Sequence, residues 1–295
     1  MAMFEGFAHG RHDTGAATID YVTGGTGPAL LLLHGFPQTK AMWAHIAPVL
    51  ARHFTIVAAD LRGYGDSSRP ENGPDCAAYS FRAMAADMVS LMAALGHEQF
   101  HLVGHDRGGR TAHRLTLDHP DAIRSLTVMD IVPTRIVFAE GGPEVAHAYY
   151  HWYFLAQPSP FPETMIGHDP DLFFEKCLTG WGPDGLAAFG AEQLAEYRRC
   201  WRQPDAIRAM CADYRAAWHV DWPMDEADKD QHIACPVLAL YGEDGLVGKR
   251  FDVAAEWRRG CGNVTAKAIR GGHFFPDTAP EETADALLGF LRPAA

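Results

Sequence analysis

The stretch FHLVGHDRGGR, residues 100–110, begins as an apolar run and closes on glycines and arginines. A short apolar run bounded by turn residues reads as a buried strand, and residues 108–118 beyond it carry helical spacing. The turn between them is tight, because Gly104 and Gly108 stand two residues either side of Asp106. A sharp strand-to-helix bend needs such small flanks if its central side chain is to project from the top of a sheet. Bends of this kind are commonly spelled G-x-S-x-G; here a carboxylate stands where a hydroxyl is usual. The plain alternative is an aspartate that only caps the helix starting near residue 107.

The same rhythm runs outward in both directions. ALLLLHG (29–35), FTIVAAD (54–60), SLTVMD (125–130), PVLALYG (236–242) and VTAKAIRG (264–271) read as further buried strands. Residues 41–52, 78–95 and 280–292 carry helical spacing between or after them. Alternation of this kind predicts an α/β fold with a mostly parallel central sheet and helices on both faces. The rhythm breaks between about 134 and 231, a stretch rich in aromatics and histidines (HAYYHWYF, 147–154) with no convincing strand. We expect a helical cap over 134–231, inserted into a core domain made of residues 1–133 and 232–295. In such sheets ligands bind at the carboxyl ends of the strands, here Asp106, Asp130 and the loops after Gly35 and Gly242.

Composition narrows the function classes. The 295 residues carry a formal charge of −12, which speaks against nucleic acid or an anionic membrane as partner. An anionic substrate would need a local cationic spot. Six cysteines (76, 177, 200, 211, 235, 261) form no C-x-x-C pair, a pattern that suits reduced thiols in the cytoplasm. The opening MAMFEGFAHG lacks the basic start and apolar core of a signal peptide, and the longest apolar runs are too short to span a bilayer.

Chemistry separates aspartate from serine at position 106. A serine that attacked a saturated carbon would leave an ether, which water does not cleave. A carboxylate leaves an ester, which falls to water activated by a histidine. Asp106 therefore points to displacement at an sp³ carbon followed by hydrolysis, and away from esterase or lipase chemistry. The base is expected in GGHFF (271–275): of the 16 histidines, His273 lies in the loop after the last strand, where the order nucleophile, acid, histidine puts it. Its orienting acid has two candidates, Asp130 in VMDIVPT and Asp244 in YGEDGLV, and the residues alone do not choose. Arg107 and Arg110 share a face on the opening turn of the helix, where cations are unfavourable unless an anion arrives. Two solvated surface arginines are the plainer reading. His147 and His151 have the i, i+4 spacing of a zinc-binding helix, but no Glu follows His147 and no third ligand presents itself; neither metal nor cofactor is expected.

Taken together, HGFPQ (34–38), DLRGYGDS (60–67), GHDRGGR (104–110), VMDIVPT (128–134), HW (151–152), Tyr214 and GGHFF (271–275), in this order, closely resemble the fluoroacetate dehalogenases of the α/β-hydrolase superfamily. HGFPQ and DLRGYGDS are shared with epoxide hydrolases and haloalkane dehalogenases; DRGGR combined with HW is more specific. The resemblance implies attack by Asp106 on a small 2-haloacid, with His273 as base and Asp130 as its acid. It assigns Arg107 and Arg110 to the substrate carboxylate, and His151, Trp152 and Tyr214 to the halide. By the fold's usual arrangement the backbone N–H groups of Phe36 and Arg107 form an oxyanion hole. It also implies a homodimer. Without it, HAYYHWYF reads as cap core. An epoxide hydrolase of the same fold, or a non-catalytic receptor built on it, are the competing readings.

Overall fold

A computed structural model of the chain describes residues 3–74 and 76–292. Eight strands form one sheet in the order β1-β2-β4-β3-β5-β6-β7-β8. They are β1 (Ala8–Asp13), β2 (Thr18–Gly24), β3 (Ala29–Leu33), β4 (Thr55–Ala59), β5 (Phe100–His105), β6 (Ile123–Met129), β7 (Val237–Gly242) and β8 (Val264–Ile269). From β4 to β8 every pairing is parallel, whereas β1–β2 and β2–β4 are antiparallel. The six strands expected from apolar runs are all present. The central β3, ALLLL, is buried along its whole length, as helices on both faces demand. Periodicity does not find β1 and β2: AHGRHD and TIDYVTG carry few apolar residues because they form the half-exposed antiparallel edge.

The core helices include α1 (Phe81–Ala94), capped by the Ser80 side chain, and α2 (Asp106–Asp118). The expected helix over 41–52 is broken instead into a 3₁₀ turn, Lys40–Trp43, and a short helix, Ala47–Leu50. Pro48 has no N–H to continue the ladder, so the chain restarts there. Between β6 and β7 the chain adds no strand to the sheet and is mainly helical: α3 (Thr134–Glu140), α4 (Gly142–Ala148), α5 (Tyr150–Leu155), α6 (Phe161–His168), α7 (Pro170–Thr179), α8 (Ala191–Trp201), α9 (Pro204–Ala216) and α10 (Trp222–Ala227). A last helix, α11 (Pro280–Leu291), opens with proline at its first position, where the missing N–H costs nothing. Among the described residues no helix is long and apolar enough to cross a membrane.

The inserted helices lie over the carboxyl ends of the parallel strands and are tied to the core by hydrogen bonds. The His273 N–H donates to the carbonyl of Trp181 at 3.0 Å. The Asp221 side chain accepts from the Phe81 N–H at 2.9 Å, and Tyr197 on α8 donates to Asp277 at 3.1 Å. The strand ends and the insertion thus enclose a shared interior.

Candidate active site

Asp106 sits at the β5–α2 bend with φ of 46°, in the left-handed region that non-glycine residues rarely occupy. Its glycine flanks are obligatory. A Cβ on Gly104 would run into the carbonyl of Gly108, and one on Gly108 into that of His34. Strain of this kind persists only where the surroundings over-determine it, and it re-aims the side chain. One carboxylate oxygen of Asp106 accepts the Phe36 N–H at 2.9 Å. Burial opposes its ionisation, but the charges of His273, His105, Arg107 and Arg110 outweigh that and hold its pKa below the usual carboxylate value.

His273 follows β8 and is 3% exposed. Its Nδ1 lies 2.6 Å from Asp130 Oδ2, while Asp130 Oδ1 accepts the Gly242 N–H at 2.9 Å. Asp130 also adopts a left-handed φ, 51°, just beyond β6. The choice between the two acids is therefore geometric. Asp244 is exposed, and its backbone N–H is spent on the carbonyl of Gly271. The other side of the His273 loop is fixed by His105, whose Nε2 meets the His273 carbonyl at 2.8 Å.

The two arginines are buried, at 0% and 3% exposure, so the reading of them as solvated surface cations fails. They are also held differently. The Arg107 fork grips Asp213 on α9: Nε donates to the carboxylate at 2.9 Å, and Nη2 donates to the other carboxylate oxygen and to the Asp213 carbonyl. Tyr64 donates to the same carboxylate at 2.6 Å. Arg110 has no carboxylate partner among the described residues; its Nη1 donates to the Val132 carbonyl and the Thr134 hydroxyl, each at 3.1 Å. Burial pulls its pKa down to about 10, with Asp106 working the other way. Both guanidiniums lie on aromatic faces. Arg107 is 4.3 Å from the ring centre of Tyr214, and Arg110 is 4.5 Å from that of Trp152.

His151, Trp152 and Tyr214 are brought in from α5 and α9 and buried. The Phe36 ring stacks on His151 (centres 5.7 Å apart) and meets Tyr214 edge-on at 5.1 Å, and His151 and Tyr214 are 5.4 Å apart. Burial, and then the facing Asp106 charge, keep the Tyr214 phenol protonated, and burial keeps His151 neutral. Four buried polar atoms of this group have no partner among the described residues: Arg107 Nη1, Arg110 Nε, His151 Nδ1 and Tyr214 Oη. Leaving one such group unpaired costs about 1–3 kcal/mol, more for a charge. All four belong to side chains that pack together beside Asp106.

The zinc-like spacing comes to nothing. The helix breaks at Tyr149 between α4 and α5, leaving His147 exposed and His151 buried. Among the described residues one trio could hold a metal, Asp20, Asp60 and Asp66. Lys40 already satisfies two of its members, at 2.7 and 2.6 Å. Sequence reasoning missed Asp213, which acts on Arg107 from 106 positions away; no local pattern signals it.

Known proteins place this geometry in context. A family model described as "alpha/beta hydrolase fold" matches residues 28–280. The chain is 53% identical over 292 residues to a fluoroacetate dehalogenase from a Burkholderia species, covering 99% of this chain and 96% of that one. It is 32% identical over 279 residues to a soluble epoxide hydrolase from Corynebacterium sp. (strain C12), covering 92% and 93% respectively. A solved structure from Nostoc sp PCC 7120, of the alpha/beta-hydrolase type, superposes with a TM-score of 0.97 at 51% identity and covers 99% of this chain and 100% of its own.

Proposed function

The chain belongs to the α/β-hydrolase family, alongside fluoroacetate dehalogenase, and on that footing we propose that it hydrolyses the carbon–halogen bond of small 2-haloacids, fluoroacetate foremost. Arg110, and the free amino group of Arg107, take the substrate carboxylate. A carboxylate oxygen of Asp106 attacks the carbon next to it with inversion, and halide leaves toward His151, Trp152 and Tyr214. The product is a 2-acyloxy acid in which Asp106 is the acyl group. His273, oriented by Asp130, takes a proton from water; the hydroxide adds to the Asp106 carboxyl carbon while the N–H groups of Phe36 and Arg107 hold the oxyanion. Collapse releases the 2-hydroxy acid and regenerates Asp106. Water is the only co-substrate.

The observation that carries this reading is the set of four unpartnered donors around Asp106. Fluoride is a poor leaving group, and each donor aimed at its growing charge is worth roughly 10²–10³-fold in rate by analogy with oxyanion holes. Hydrolysis of a neutral epoxide leaves two buried guanidiniums without purpose. A non-catalytic receptor has no use for the Asp106–His273–Asp130 set.

The same reading divides the chain into a core domain (1–133 and 232–295) and a cap (134–231), and puts it in the cytoplasm, which six free cysteines support. We read it as a homodimer joined through the cap. Phe161, Met165 and Leu172 there are 54%, 55% and 70% exposed, and the last two border a groove of about 410 Å³.

A fluoride-electrode assay on fluoroacetate beside chloroacetate and styrene oxide tests the function. Fluoride and glycolate are expected, and the Asp106→Asn variant is expected to make neither. A single turnover in ¹⁸O-water places heavy oxygen in the Asp106 side chain. Label found only in the product refutes the covalent route.

A further inference from the structure

Dehalogenation uses Tyr214 and His151 only to solvate a departing anion, yet the phenol has something more to give: a proton. Its position makes the transfer favourable at one moment. In the resting site the Asp106 carboxylate faces the phenol and, with burial, resists its ionisation. Once Asp106 has become a neutral ester that opposing charge is gone. The Arg107 guanidinium, 4.3 Å from the ring centre, remains to steady a phenolate. The neighbouring His151 is neutral, with its ring centre 5.4 Å from that of Tyr214 and its Nδ1 unpartnered among the described residues.

We propose that the site also hydrolyses α,β-epoxy carboxylates, with the arginines holding the carboxylate, Asp106 opening the ring at the carbon beside it, and Tyr214 protonating the ring oxygen. This rests on the assignment of the arginines to a carboxylate. A small epoxy acid offers the cradle the same layout as a haloacid: a carboxylate, one saturated carbon, and an electron-rich leaving atom on that carbon. It differs in that its leaving oxygen stays attached to the neighbouring carbon and needs a proton, which halide does not.

The balance closes. Asp106 Oδ forms a bond to C2 as the C2–O bond breaks. The oxygen, still on C3, takes the Tyr214 proton, leaving a hydroxy ester and a phenolate. Water then attacks the Asp106 carboxyl carbon and His273 accepts its proton. Release of the 2,3-dihydroxy acid restores Asp106, and the proton on His273 returns to Tyr214 by way of water. The sum is epoxy acid plus water to diol acid, with inversion at C2.

The test uses racemic oxirane-2-carboxylate in ¹⁸O-water over many turnovers, read by ¹³C NMR, with fluoroacetate run in parallel. We expect 2,3-dihydroxypropanoate above the background of Asp106→Asn, from one enantiomer, with heavy oxygen on C2. Tyr214→Phe is expected to cost the epoxy acid about 10²–10⁴-fold in kcat/KM. For bromoacetate, whose leaving group needs no proton and carries a softer, more diffuse charge than fluoride, the same change is expected to cost only about tenfold, the worth of a lost neutral hydrogen bond. Fluoride release without epoxy-acid turnover overturns this inference alone. Failure of both substrates overturns the carboxylate cradle on which it stands. Label on C3 overturns the direction of ring opening, and equal losses for both substrates in Tyr214→Phe overturn the proton transfer.

Discussion

Replacing Asp213 by asparagine removes one charge from a pair in which both side chains are fully buried. The amide keeps the volume, and one oxygen can still accept from Tyr64, but its NH₂ group now faces Arg107, and the guanidinium loses its counter-charge. Breaking a buried pair in this way costs about 3–5 kcal/mol. At roughly 2–4 °C per kcal/mol for a chain of this size, the midpoint of thermal unfolding should fall by about 10 °C. The same loss frees the Arg107 fork to rotate, so KM for fluoroacetate should rise more than kcat falls. Weaker carboxylate binding also means that acetate at a fixed concentration should stabilise the variant by less than it stabilises the parent. Differential scanning fluorimetry with and without acetate, beside steady-state fluoride release, reads all three quantities. An Asn variant with parental melting and parental KM refutes the claim that Asp213 holds Arg107 in place.

Three further outcomes follow from the geometry. His273→Asn should stop after ester formation, so intact-protein mass spectrometry after incubation with fluoroacetate should find the adduct; unmodified protein removes His273 from the hydrolytic step. Asp277 is buried with no cation paired to it among the described residues, accepting from Gln38 and Tyr197, and burial raises its pKa to about 8. The folded state therefore binds one proton more than the unfolded chain between about pH 4 and pH 8, so stability declines across that window, by several kcal/mol at most, and is level above it. Asp277→Asn should flatten that slope in urea titrations at pH 5 and 9; an unchanged slope assigns it elsewhere. Leu172→Glu together with Met165→Glu should yield a monomer by light scattering while folding is retained, and a dimer of unchanged affinity moves the interface away from the cap.

Local physics reaches a long way in this chain. The six apolar strands, the glycine-flanked bend and the long helical stretch between β6 and β7 each follow from patterns within a dozen residues, because burial on both faces of a sheet and tight backbone approach leave local marks. Asp106 and His273 were legible for the same reason: each occupies a turn beside a strand end. The antiparallel edge was not, since β1 and β2 bury little and so carry little pattern. The helix break at Tyr149, which parts His147 from His151, likewise leaves no clear mark in HAYYHWYF.

By itself the sequence determined which reaction type the bend can carry, since a carboxylate and a hydroxyl leave chemically different intermediates on a saturated carbon. Only the tertiary structure shows which of Asp130 and Asp244 meets His273: both follow strands, but one turns inward onto the imidazole and the other stays at the surface. It alone decided how the two arginines differ, one committed to Asp213 and the other free of any carboxylate among the described residues. The reason is distance along the chain. The partners that fix Arg107 and His273 come from 106 and 143 positions away, and those of Arg110 from 22 and 24, and no local pattern encodes which of them the fold will bring near.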